Sequence, residues 1–144
     1  MSREKFRSAS VYCFSHRVYT RWMDNDVYHH VNNVIYYSWF DSAVNSFLME
    51  KGLLNIENSQ IVGLVVESSC RYGRPVSFPE PVTAMLRIAH LGTSSVRYEI
   101  GIFTDNMPGA AAEGHFVHVY VDRVSRRPTQ LPLLWRETLQ ELMT

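Results

Sequence analysis

The sequence predicts a single α+β domain: an antiparallel sheet of about five strands curled around one long central helix, closed by a short C-terminal helix. Three observations lead there. One segment, Asn33 to Lys51, is helical in pattern and apolar on nearly every side. Four strand-like segments follow it with short links. One more strand-like segment precedes it. A helix with so wide an apolar surface must be buried by something, and here only a sheet is available to do it.

Each element can be justified in turn. Val11 to Arg21 mixes β-branched and aromatic residues and reads as a strand. Asp24 to Asn32 is a polar loop, and Asn32 or Asn33 suits a helix N-cap. Along Asn33 to Lys51 the polar residues Ser38, Asp41, Ser42, Asn45 and Ser46 fall on one narrow stripe. Val34, Tyr36, Tyr37, Trp39, Phe40, Val44 and Phe47 fill much of the rest. Gly52 fits the position just past a helix end.

Gln60 to Arg71 opens on the apolar run IVGLVV and reads as a strand buried at one end. Gly73 to Pro81 holds three prolines and reads as a connection or sheet edge. Val82 to His90 and Ser95 to Thr104 alternate apolar and polar residues, as strands with one buried face do. Asp105 to Gly109 (DNMPG) is a hairpin loop, and Ala111 to Val121 is a long strand. After a loop, Pro132 starts a short helix running to Met143. Consecutive strands with short links favour a meander. Its second face has little cover from its own chain, so a homodimer or homotetramer is expected.

Composition narrows the function. The 144 residues are 46% hydrophobic and 19% charged, with zero formal net charge. No basic excess invites nucleic acid, and no apolar run is long enough to span a membrane. The polar start MSREKFRSAS lacks the apolar core of a secretory signal. Cys13 and Cys70 lack metal-ligand spacing and make a poor disulfide framework, so a cytoplasmic location is expected.

Chemistry concentrates in RWMDNDVYHHVNNVIYYSWFD, Arg21 to Asp41. Asp24, Asp26, His29, His30, Asn32 and Asn33 crowd together immediately before the helix start. That position places a carboxylate beside backbone N–H groups already aimed outward. Asp24 reads as structural, tied to Arg21. His29 and His30 with two aspartates fit no standard metal motif, and no metal or other cofactor is expected.

This stretch resembles the signature of the hydroxybenzoyl-CoA thioesterase-like branch of the hotdog-fold acyl-CoA thioesterases. The signature is an Arg-aromatic pair, Asp-x-Asp, usually Gly-His-Val-Asn-Asn, then an aromatic helix start. GLVVESSCRYGRPVSFPEPV and EGHFVHVYVDRVSRRPTQLP are similar to the same branch. The resemblance implies a hotdog domain over the whole chain that hydrolyses an acyl thioester to a carboxylic acid and CoA. It implies Asp26 as nucleophile or general base, and the Asn33 backbone N–H as the group polarising the thioester carbonyl. His30 and Asn32 match the His and first Asn of the motif, and are expected to hold the loop or contact substrate. His29 stands where the family usually has Gly. The family's basic run before the fourth strand reads GTSS here, Gly92 to Ser95, so substrate contacts are expected from Ser95 and Arg97, with Arg123, Arg126 and Arg127 as further cations. The acyl carrier is CoA or an acyl carrier protein.

Glu67 ends an apolar run. It is expected to line the acyl cleft or assist a water, or else to pair with an arginine such as Arg71. Ser68 and Ser69 lack the Gly-x-Ser-x-Gly setting of a hydrolase elbow. His115 and His118 differ by three positions, so a regular strand sends them to opposite faces, and both read as structural. Asp41 also reads as structural. Two other readings stand beside the thioesterase: a hotdog hydratase or dehydratase on enoyl or hydroxyacyl thioesters, and a non-catalytic acyl-thioester binding protein.

Overall fold

The computed structural model describes residues 6–143; the first half of the polar start lies outside them. Strand β1 (Phe14–Val18) leads to helix α1 (Asn33–Glu50). Strands β2 (Ile61–Tyr72), β3 (Val82–Leu91), β4 (Ser95–Thr104) and β5 (Ala112–Asp122) follow, then helix α2 (Leu133–Gln140). The five strands form one antiparallel sheet in the order β1-β3-β4-β5-β2. This is the hotdog arrangement, α+β, with the long helix packed on one face.

The core lies between α1 and one face of the sheet. Tyr36, Trp39, Phe40, Ala43, Val44, Phe47 and Leu48 are buried at spacings of three and four. They meet Val82, Ala84, Leu86 and Ile88 of β3 and Val96, Tyr98, Ile100 and Ile102 of β4, all essentially inaccessible. Burying a side chain of this size contributes roughly 1.5–3 kcal/mol. Gly52 takes φ +74, the left-handed turn that ends the helix.

Three expectations need correction. The meander extends only over β3, β4 and β5: β2 pairs with β5 at the far edge, not with β3. The nine-residue link to β3 carries Pro75, Pro79 and Pro81, which cannot donate to a ladder, so it crosses the molecule instead of closing a hairpin. The helix is not buried on most sides: it lies nearer β1 and β3, and leaves Val34 and Met49 exposed on its far side. The first strand is shorter than Val11 to Arg21. Ala9–Val11 form a 3-10 turn, and Tyr12 packs edge-on against Phe103 at 5.8 Å.

That last contact gives the sheet's outer face partial cover from its own chain. Tyr12, Phe103 and Ala110 form a small second core with Phe6, Val11 and Met85 around it. Beside it the same face carries a cluster of charge. Glu99 is buried among Arg7 (3.3 Å), Arg97 (3.5 Å) and Arg87, and Glu113 is buried against Arg7 and Arg71.

On the helix side, Tyr98 and Tyr120 hydroxyls hydrogen-bond at 2.6 Å, and His118 Nδ1 lies 3.4 Å from the second. Burial lowers the His118 imidazole to about 4. The folded state therefore keeps His118 neutral where the unfolded chain, titrating near 6.5, takes a proton. Stability is full above pH 6.5 and falls between about 6.5 and 4, by about 3 kcal/mol from this group. Denaturation of His118→Gln across that range should show a correspondingly flatter pH profile than wild type.

Candidate active site

The loop before α1 is built to hold one shape. Asp24 is buried and carries the Arg21 backbone N–H (2.8 Å), Nε (3.0 Å) and terminal nitrogen (2.7 Å), which is the structural pairing expected of it. Its carbonyl accepts from Asn32 N–H at 2.9 Å. Asp26 N–H donates to His30 O at 2.9 Å and His29 N–H to Asp26 O at 3.0 Å, closing a tight turn. The proline-rich link props the loop from below. Val31 N–H donates to Val76 O (2.7 Å), Ser77 Oγ to His29 O (2.8 Å) and Phe78 N–H to Asn25 Oδ1 (3.0 Å).

His29 sits at φ 65, the left-handed region. That region favours glycine, the residue the resembling family usually has at this position, and here a histidine occupies it. A branched side chain should not do so: His29→Val is expected to cost about 1–2 kcal/mol in urea denaturation, whereas His29→Gly stays within about 1 kcal/mol of wild type.

Asn32 is the N-cap, its Oδ1 accepting from Val34 N–H at 3.1 Å. Among the described residues nothing accepts a hydrogen bond from the Asn33 N–H. That donor points along the positive end of an 18-residue helix. Asn33 and His30 line a cavity of about 300 Å³ together with Tyr36, Tyr72 and Arg74. The Tyr72 hydroxyl donates to Asn33 O at 3.2 Å. Asp26, half-buried, lines a separate hollow of about 470 Å³ with Trp22, Met23, Val27 and His29. Its Oδ1 accepts from Tyr28 N–H at 2.8 Å, which fixes the carboxylate's direction.

The other candidates lie elsewhere. Glu67, Ser95 and Arg97 belong to the sheet's outer face, opposite α1. Glu67 does not pair with Arg71, which binds Glu113; it meets His115 at 2.7 Å and Arg97 at 3.7 Å. Arg123 bonds the carbonyls of Glu57 (2.8 Å) and Ser59 (3.3 Å), pinning a loop. Asp41 accepts from Asn45 at 3.1 Å on the exposed side of the helix.

Sequence reasoning missed Tyr72 and Arg74, because the crossing of the proline-rich link, which brings them to the helix start, leaves no periodic trace. It also missed how exposed the apolar residues around Asp26 are. Trp22, Met23, Val27 and Tyr28 are each more than 70% accessible.

The thioesterase-like superfamily model matches residues 20–142, and the chain belongs to that superfamily. Its structure is similar to that of the PA5185 protein of Pseudomonas aeruginosa, with 47% identity, a TM-score of 0.91, and coverage of 95% of this chain and 96% of that one. The PA2801 protein of the same organism is 30% identical, with a TM-score of 0.82 over 89% of this chain and 98% of its own. A thioesterase from Thermus thermophilus, solved with coenzyme A and Zn, is 28% identical, with a TM-score of 0.76 over 91% and 95%. No curated protein sequence matches the chain significantly. Fold and family are thus those of thioester hydrolases.

Proposed function

We propose that the protein is an acyl-CoA thioesterase in which Asp26 attacks the thioester carbonyl or deprotonates the water that does, and the Asn33 N–H receives the developing oxyanion. One observation supports this: a carboxylate held in a fixed direction on a tightly hydrogen-bonded loop precedes a helix start whose first N–H has no acceptor among the described residues. Such a donor needs no reorganisation as charge develops on the carbonyl oxygen. The Thermus thioesterase bound to coenzyme A supports CoA as the thiol carrier. His30 and Asn32 hold the loop geometry, and Arg74 offers a cation beside the same cavity.

The reading includes a homodimer. Strand β2 is an edge with one unpaired row of backbone groups, and Leu64, Val65 and Val66 on it are exposed. Such an edge pairs with another strand unless something blocks it. A second copy joined there continues the sheet and adds apolar cover. Val66→Lys is expected to convert the dimer to monomer in sedimentation equilibrium; an unchanged mass would remove β2 as the interface.

Product analysis tests the chemistry. Hydrolysis liberates one free thiol per acyl-CoA consumed. Consumption of an enoyl-CoA without thiol would instead indicate a hydratase, and ligand-induced thermal stabilisation without any product a binding protein.

A further inference from the structure

On the face of the sheet opposite α1, Ser69, His115 and Glu67 form a continuous hydrogen-bonded chain. Ser69 Oγ lies 2.7 Å from His115 Nδ1, and His115 Nε2 lies 2.7 Å from Glu67 Oε2. Ser69 and His115 are directly opposite each other in the β2–β5 ladder, so backbone pairing fixes their approach. Glu67 precedes Ser69 by two residues and therefore shares its face.

A β-bulge makes this arrangement. Ile61 to Val65 pair with Asp122 to His118, then the register shifts and Glu67 to Tyr72 pair with Val117 to Ala112. The inserted residue, Val66, reverses the alternation of β2. Without it Glu67, Ser69 and Arg71 would point toward the helix side. Bulges of this kind re-aim side chains and are over-represented next to active sites.

The chain opens into a cavity of about 360 Å³ lined also by Arg7, Arg71 and Arg97. A carboxylate accepting from Nε2–H selects the imidazole tautomer whose bare Nδ1 faces the serine hydroxyl. The serine is thus hydrogen-bonded to a base oriented by a third group, the logic shared by serine hydrolases whatever their fold. The guanidinium groups of Arg71, paired with Glu113, and of Arg97, paired with Glu99, border the same cavity.

We propose that Ser69, His115 and Glu67 are a second hydrolytic site, separate from the Asp26 loop, acting on carboxylic esters with small polar acyl groups. The walls of the cavity are arginine and glutamate, which do not suit a long apolar chain. Ser69 Oγ bonds to the acyl carbon while its proton passes to His115 Nδ1. The C–O bond to the alcohol breaks, and the departing oxygen takes that proton. Water then adds to the acyl-Ser69 ester, giving a proton to His115; the Ser69–acyl bond breaks and Ser69 regains the proton. The net reaction is ester plus water to acid plus alcohol.

The test treats the whole protein with a fluorophosphonate probe and locates the adduct by peptide mass spectrometry, with p-nitrophenyl acetate turnover measured alongside. The expected result is an adduct on Ser69. Turnover should fall at least about 100-fold in Ser69→Ala and persist in Ser68→Ala, a neighbour on the opposite face. Acyl-CoA thiol release should stay within about two-fold in Ser69→Ala, since that hydroxyl lies across the sheet from Asp26. The wild-type labelling needs no variant to fold. No adduct on Ser69, or ester turnover indifferent to its removal, would reduce the triad to a structural hydrogen-bond chain. Labelling of Ser69 without any acyl-CoA turnover would keep this site and discard the Asp26 reading.

Discussion

Gly114→Ala is expected to lower stability by about 3 kcal/mol, the upper end of the range for overpacking a core, and to lower Tm by roughly 6–12 °C. Gly114 lies in β5 opposite Cys70 of β2, beneath the ring of Phe40. A methyl group there would overlap the Ser69 carbonyl oxygen, come within 2.7 Å of the Phe40 ring and 3.0 Å of Cys70 Cα. Two of these three neighbours are backbone atoms of the paired strand, which cannot rotate away. Relief requires β2 to separate from β5 or α1 to lift from the sheet. Both movements reach the functional surfaces, because α1 carries Asn33 at its start and β2 carries Tyr72 at its end. Thermal unfolding of the purified variant measures the effect. An unchanged Tm would mean that the helix and edge strand pack more loosely than described.

The second large effect is on turnover. Asp26→Asn is expected to reduce kcat for acyl-CoA hydrolysis by about 10²–10⁴-fold, the range for a general base, with KM little changed. Asparagine preserves the shape of the side chain, and its Oδ1 still accepts from Tyr28 N–H, so the turn should survive. What disappears is the negative oxygen that attacks or takes a proton. Circular dichroism and Tm matching wild type would confirm that the loss is chemical. A kcat within a few-fold of wild type in a folded Asp26→Asn protein would remove Asp26 from the mechanism.

The sequence is readable where local physics decides. Asn32 or Asn33 followed by an apolar helical pattern places the start of α1 to within about a residue, and that pattern's end at Gly52 agrees with its left-handed φ. Alternation in β3 and β4 identifies the residues that face the helix. Reading fails where a decision is non-local. Strand β2 reads as a strand, but nothing in its own residues says that it pairs with β5 rather than β3. The bulge at Val66 inserts one residue into an apolar run and leaves no mark on composition, so the faces of Glu67, Ser69 and Arg71 are invisible beforehand. For the same reason Arg71 could be offered as one possible partner of Glu67, when the arginine beside it is Arg97 and its hydrogen-bond partner is His115. In the loop before α1, the buried Asp24 pairing is a local i,i+3 contact and is legible from Arg21. The support from the proline-rich link, about fifty residues away, is not.

Free-thiol release by the wild-type protein from short, long and aromatic acyl-CoAs tests the central claim most directly. Steady release of one thiol per acyl-CoA consumed, from at least one class and in proportion to protein concentration, is the predicted result. Absence of release from every class, by folded protein that still binds coenzyme A, would contradict it.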